Sequence, residues 1–157
     1  MSYRKLLVAL TVLAVASAVT APVALSAPPE PGFSKSTAID ADFGTTLIDS
    51  TNAPRSIRQG CGDTKNDHAV WFKFETTTPA TITADTTDSF TDELESVDTV
   101  LAVYARGKRI DCNDDIDSTN HWSRVTLSAE AGTTYYFSVA SFDQTTGGII
   151  RLNLIAS

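Results

Sequence analysis

At 157 residues the chain is long enough for one domain with a substantial core. Its 19 acidic residues against 12 basic ones give a net charge of −7 at pH 7. That balance argues against nucleic acid and anionic membrane as partners and suits calcium or cationic ligands.

Arg4 and Lys5 form a charged start, followed by an uncharged apolar run over residues 6–15. Ala16, Ser17 and Ala18 then make a small-residue cleavage pattern, with Ala24 or Ala27 as later options. Residues 1–27 are therefore expected to be a signal peptide. The alternative is an uncleaved membrane anchor, since low polarity continues to residue 27. Export favours pairing the two cysteines, Cys61 and Cys112, over a thiolate metal site, which needs more sulfur or histidine nearby. A secreted or cell-surface location is expected, with no membrane contact beyond that anchor.

Residues 28–36 (PPEPGFSKS) read as a flexible linker and 37–157 as the folded module. Ile39, Phe43, Leu47 and Ile48 suggest early strands broken at Gly44, and residues 51–67 a long polar loop tied down by Cys61. Residues 69–75 (AVWFKFE) alternate, with Val70, Phe72 and Phe74 inward and Trp71 half-buried. A threonine-rich strand follows at 81–86, then an acidic loop at 88–97.

Residues 98–117 (DTVLAVYARGKRIDCNDDID) read as a β-hairpin whose first arm is apolar on both faces, as in a strand buried on both sides. A turn centred on Gly107 sets Asp98 opposite Ile116, beside Asp115 and Asp117. Carboxylates crowded at one strand end repel unless a cation or hydrogen-bond donors sit among them. Val125, Leu127 and Ala129, then Tyr135, Phe137 and Val139, then Ile150, Leu152 and Leu154 mark three further inward-facing sets. Seven or eight short strands without a sustained helical period predict an all-β, antiparallel two-sheet sandwich.

Five pieces in order, CG at 61–62, AVWFKF at 69–74, DTVLAVY at 98–104, CNDD at 112–115 and AGTTYYFSV at 131–139, resemble the bacterial pre-peptidase C-terminal domain over about 100 residues. The resemblance implies a jelly-roll-like sandwich on secreted proteins, often appended to peptidases, with some members similar to calcium-using collagen-binding modules. This chain carries the module without a peptidase domain, so a free-standing binding or surface role is expected. The segment before the sandwich, which often supplies part of the family's calcium ligands, offers only Glu30.

Asp111, Asn113, Asp115 and Asp117 alternate like the start of an EF-hand loop. Ile116 stands where that loop needs Gly, and Trp122 where it needs Glu. An EF-hand is excluded, but the carboxylates could still gather around Ca²⁺. Asp98, Asp114 and Asp115, which sit in the two matching motifs, are the first choices as ligands. The competing reading has residues 113–115 forming turns and capping backbone N–H groups.

His68 and His121 lack partners at metal spacing and read as loop residues. Ser123 lies near His121 without a nucleophile-elbow pattern, and Glu75, Glu93 and Glu95 lack glycosidase spacing. No catalytic residue is assigned. Trp71, Trp122 and Tyr136 are candidate contacts for an extracellular protein or polysaccharide, with Trp122 the best placed for exposure. The expected function is an exported, non-catalytic binding module. The alternatives are a secreted hydrolase with a site near His121 and a partner or inhibitor of a separately encoded peptidase.

Overall fold

The computed structural model describes residues 28–55, 61, 66–142 and 147–156. Residues 1–27, expected to be a signal peptide, and most of the loop between residues 55 and 66 lie outside the described residues.

A 3-10 turn (Lys35–Thr37) leads into nine strands among the described residues: β1 (Ile39–Asp40), β2 (Gly44–Asp49), β3 (Asp67–Glu75), β4 (Ala80–Asp85), β5 (Thr99–Ala105), β6 (Lys108–Asn113), β7 (Arg124–Ala129), β8 (Thr134–Ser141) and β9 (Ile149–Ala156). One sheet has the order β1-β3-β8-β5-β6 and the other β2-β9-β4-β7. From β3 onward the chain crosses between the sheets at nearly every connection, and only β5 and β6 stay together as a hairpin. The result is the two-sheet all-β sandwich that the alternation predicts.

Strand patterning follows from position. β7 lies at a sheet edge and buries only Val125, Leu127 and Ala129. β5 and β8 lie inside the five-stranded sheet and are buried on both faces through most of their length. Phe72, Phe137, Ile82, Leu101, Ile150, Leu152 and Leu154 fill the space between the sheets. The Tyr135 hydroxyl accepts a bond from the Glu130 N–H at 2.9 Å, fixing the corner that enters β8.

The outer face of the five-stranded sheet is also covered. Val100, Ala102 and Ala140 are fully buried there. Cys112 pairs with Ala102 across the β5–β6 ladder, so its side chain shares that face. The disulfide between Cys61 and Cys112, with a Cα separation of 5.8 Å, holds buried Cys61 on it.

Three local expectations change. Part of the lead-in is docked rather than free. Gly32 accepts the Trp71 N–H at 2.7 Å and donates to Thr37 at 2.6 Å, and Phe33 packs on the core. This brings β1 alongside β3 in a two-residue parallel pair, the one exception among otherwise antiparallel pairings. No tight turn joins these two strands, so nothing imposes the antiparallel direction. His68 belongs to β3 rather than a loop. Its φ of +53 falls where the β3–β8 register shifts between Asp67 and Val70.

The hairpin turn contains two residues, Arg106 (φ +50) and Gly107 (φ +78), closed by Ala105 and Lys108. A bulge beside Ile110 then restores the expected offset, pairing Val103 with Asp111 and Leu101 with Asn113. The register is one residue off next to the turn and as expected beyond it.

Candidate functional site

Asp98 immediately precedes β5, while Asp114 and Asp115 immediately follow β6. Behind them lies a buried polar knot. The Thr86 and Thr99 hydroxyls are 2.6 Å apart, and the Ser123 hydroxyl lies 2.5 Å from the Thr99 carbonyl and 2.7 Å from the Asp114 carbonyl. All three knot residues are fully buried. They tie the end of β4, the start of β5 and the 114–123 loop into one unit.

That loop is itself closed. The Ile116 N–H donates to Asn120 at 3.0 Å and Trp122 at 2.6 Å, and the Asp117 carboxylate accepts both backbone and hydroxyl bonds from Thr119. These bonds lower Asp117 from its ordinary carboxylate value. The Thr99 N–H donates to the His121 carbonyl at 3.0 Å, drawing the end of the loop to the start of β5.

The closed loop brings His121 onto Asp115, Nδ1 to Oδ1 at 3.1 Å. One ligand atom each from Asp98, Asp115 and His121 lies within 4.8 Å of the others. Asp98 and Asp114 each keep a buried carboxylate oxygen, Oδ1, with no hydrogen-bond partner. Burial, reinforced by the neighbouring Asp115, raises both acids, and Asp114 reaches about 6. The bond and charge of Asp115, joined by the charge of Asp98, push His121 above its ordinary value. The site therefore carries excess negative charge with two oxygens unsatisfied. A divalent cation fits that donor set: carboxylates supply hard oxygen ligands, and the imidazole adds a nitrogen.

Of the three acids expected as ligands, Asp98 and Asp115 converge directly. Asp114 adds charge beside them and one buried, unpartnered oxygen. The turn-and-cap reading describes their neighbours better: Asn113 accepts the Arg124 N–H, Asp111 the Cys112 N–H, and Asp117 its own turn. Sequence reasoning did not place His121 in this cluster, because its partners lie six residues upstream and just before β5, a juxtaposition without a spacing signature.

The expected aromatic set divides. Trp71 and Tyr136 lie on the outer face of the five-stranded sheet and are joined there by Tyr104. Trp71 and Tyr104 have ring centroids 5.4 Å apart, and Lys35 places its Nζ 4.4 Å from the Tyr136 centroid. Small Ala102 and Ser138 lie across from Trp71 in the ladders, which lets the larger rings meet. Tyr136 also borders a polar cleft of about 370 Å³ with Asp40, Asp42, Lys73, Glu75 and Thr134. Trp122 lies elsewhere and is half-buried rather than exposed, donating its Nε1–H to the Ser89 carbonyl at 3.2 Å.

Among solved structures, this architecture is similar to the pre-peptidase C-terminal domain of a collagenase from Bacillus anthracis. That match covers 75% of this chain and 94% of the other, at 11% identity and a TM-score of 0.48. No family model and no curated protein matches the sequence. The two-sheet assignment rests on this chain's own strands and registers. Among the described residues, no helix is long and apolar enough to cross a membrane. The Cys61–Cys112 disulfide fits an oxidising compartment.

Proposed function

We propose that the protein is an exported, non-catalytic β-sandwich module that binds an extracellular protein or polysaccharide, with a divalent cation, calcium first, stabilising the end of the hairpin. The observation carrying the cation reading is the pair of buried, unpartnered oxygens on Asp98 and Asp114 beside Asp115. An ion there would satisfy both oxygens and offset the mutual repulsion of the three carboxylates. The Trp71–Tyr104–Tyr136 surface and its adjoining polar cleft support a macromolecular contact, since amphipathic rings on a rigid sheet give contact area at little entropic cost. The hydrolase reading gains no support from Ser123, whose fully buried hydroxyl faces two backbone carbonyls.

Calorimetric titration of the EDTA-treated full chain tests the cation. Saturable Ca²⁺ binding, accompanied by a rise in melting temperature and lost in an Asp98→Ala, Asp115→Ala double variant, is the expected result. Absence of heat and of a thermal shift would reduce the cluster to loop chemistry. A parallel Zn²⁺ titration reads the nitrogen donor: tighter Zn²⁺ binding that His121→Gln abolishes would make the resident ion a transition metal instead of calcium.

A further inference from the structure

The stretch over residues 88–97, read from sequence as an acidic loop, forms one wall of a cleft. Ser89 to Val97 make a small closed unit. Phe90 bridges Ser96 and also pairs with Ile149, exchanging N–H to carbonyl bonds of 3.0 and 2.8 Å with it. The Val97 N–H donates to the Ser89 carbonyl at 3.1 Å, and the Thr91 N–H to the Glu95 carbonyl at 2.8 Å. At the tip of this unit Leu94 is 79% exposed, the most exposed of the large apolar residues described. Its φ is +63, in the left-handed region that a leucine rarely adopts. The turn therefore presents an apolar side chain to solvent on a backbone that disfavours it.

Trp122 lines the same cleft as Leu94 and is pinned through its indole N–H to the Ser89 carbonyl. Phe90, Leu94 and Trp122 line a cleft of about 410 Å³ with Asp88, Ser89 and Ser96. Asp88 lies on its wall, and Asp92, Glu93 and Glu95 surround Leu94 on the exposed loop. None of these four carboxylates has a cationic partner within 4.0 Å among the described residues, whereas Asp40, Asp85, Asp115 and Glu130 each do. The Arg151 guanidinium stands 5.9 Å from the Phe90 ring centroid.

We propose that this cleft docks a basic peptide segment of a protein partner, which inserts one apolar side chain between Leu94 and Trp122 and lays flanking Lys or Arg residues along Asp88, Asp92, Glu93 and Glu95. The proposal rests on the binding-module reading above and names the partner chemistry at a surface separate from Trp71 and Tyr136. Charge complementarity selects the occupant: an apolar floor offers a polysaccharide few hydrogen bonds, while uncompensated carboxylates beside it attract cations. Both walls are fixed by backbone and indole bonds before binding, so docking need not order them.

The test is fluorescence polarisation on the full chain with a labelled Lys-Lys-Phe-Lys-Lys peptide. Two controls accompany it: Lys-Lys-Gly-Lys-Lys, which lacks the apolar anchor, and Glu-Glu-Phe-Glu-Glu, which reverses the charge. The expected result is saturable binding of the first peptide, weakened about tenfold or more in either control and at high salt. Leu94→Ser, an exposed change that should leave the melting temperature intact, should abolish it. A Glu93→Gln, Glu95→Gln pair should weaken it. No saturable binding, equal binding of the glycine control, or full retention in Leu94→Ser would overturn the proposal. Cellohexaose binding in the cleft without peptide binding would overturn it in favour of a glycan. Capture of an extracellular macromolecule equally by wild type and Leu94→Ser would overturn the cleft assignment while leaving the module reading standing.

Discussion

The carboxylate of Asp114 is the residue whose chemistry departs furthest from its ordinary behaviour. It sits behind Asp98 and Asp115, partly screened from water, with its value pushed up to about 6. Because that exceeds the unfolded value near 3.8, folding without a cation takes up a proton in the interval between them. The cost of the ionised group is fully present at pH 7 and is relieved as pH falls through about 6. His121 acts in the same direction. Its raised value contributes stability that is present below about 6.5 and is lost as pH rises through the folded value. In EDTA the melting temperature should therefore be higher at pH 5 than at pH 8, and Asp114→Asn should flatten the profile. A Tm that rises steadily with pH would show that these charges are compensated some other way. The sequence pattern placed Asp98 and Asp115 at the same end of one hairpin, because the apolar first arm and Gly107 locate its strand and turn; the structure brings these two carboxylates together with His121. His121 was hidden because its loop has no periodicity.

The β5–β6 hairpin shows what a sequence pattern can and cannot fix in one element. The apolar first arm and Gly107 locate the strand and turn. They do not distinguish a loop centred on one residue from a two-residue turn followed by a bulge. Both leave Val103 beside Asp111, and only the ladder hydrogen bonds decide between them. With Arg106 and Gly107 both at positive φ, the turn matches the right-handed twist of its strands. A Cβ on Gly107 would meet nothing within 4 Å, so the cost of Gly107→Ala comes from backbone conformation alone. Destabilisation of about 1–2 kcal/mol by urea unfolding is expected, with cation affinity unchanged. A change in affinity would mean that the turn and the distant acidic end are mechanically coupled. Gly148 has the opposite reason to be glycine: a Cβ there would collide with the Phe90 carbonyl oxygen, at the bridge supporting the Leu94 loop.

Across the whole molecule, the disulfide is the strongest single constraint. It spans 51 residues and ties Cys61 to the outer face of the five-stranded sheet, on which Val100, Ala102 and Ala140 are buried. Chain entropy assigns such a link about 4 kcal/mol, a large part of the stability of a domain this size. Cys112→Ser should lower the urea midpoint accordingly; an unchanged midpoint would place the stability of this face in packing alone. The sequence by itself determined the two-sheet class, the inward-facing side chains of the later strands and the pairing of two lone cysteines, because period-two alternation and cysteine number are local properties of the chain. Tertiary structure alone decided that the lead-in docks beside β3, that His121 meets Asp115 and Asp98, and that Leu94 and Trp122 line one cleft. Each is a meeting of segments whose separation along the chain leaves no periodic trace, and each depends on which strands become neighbours and which loops close across their ends.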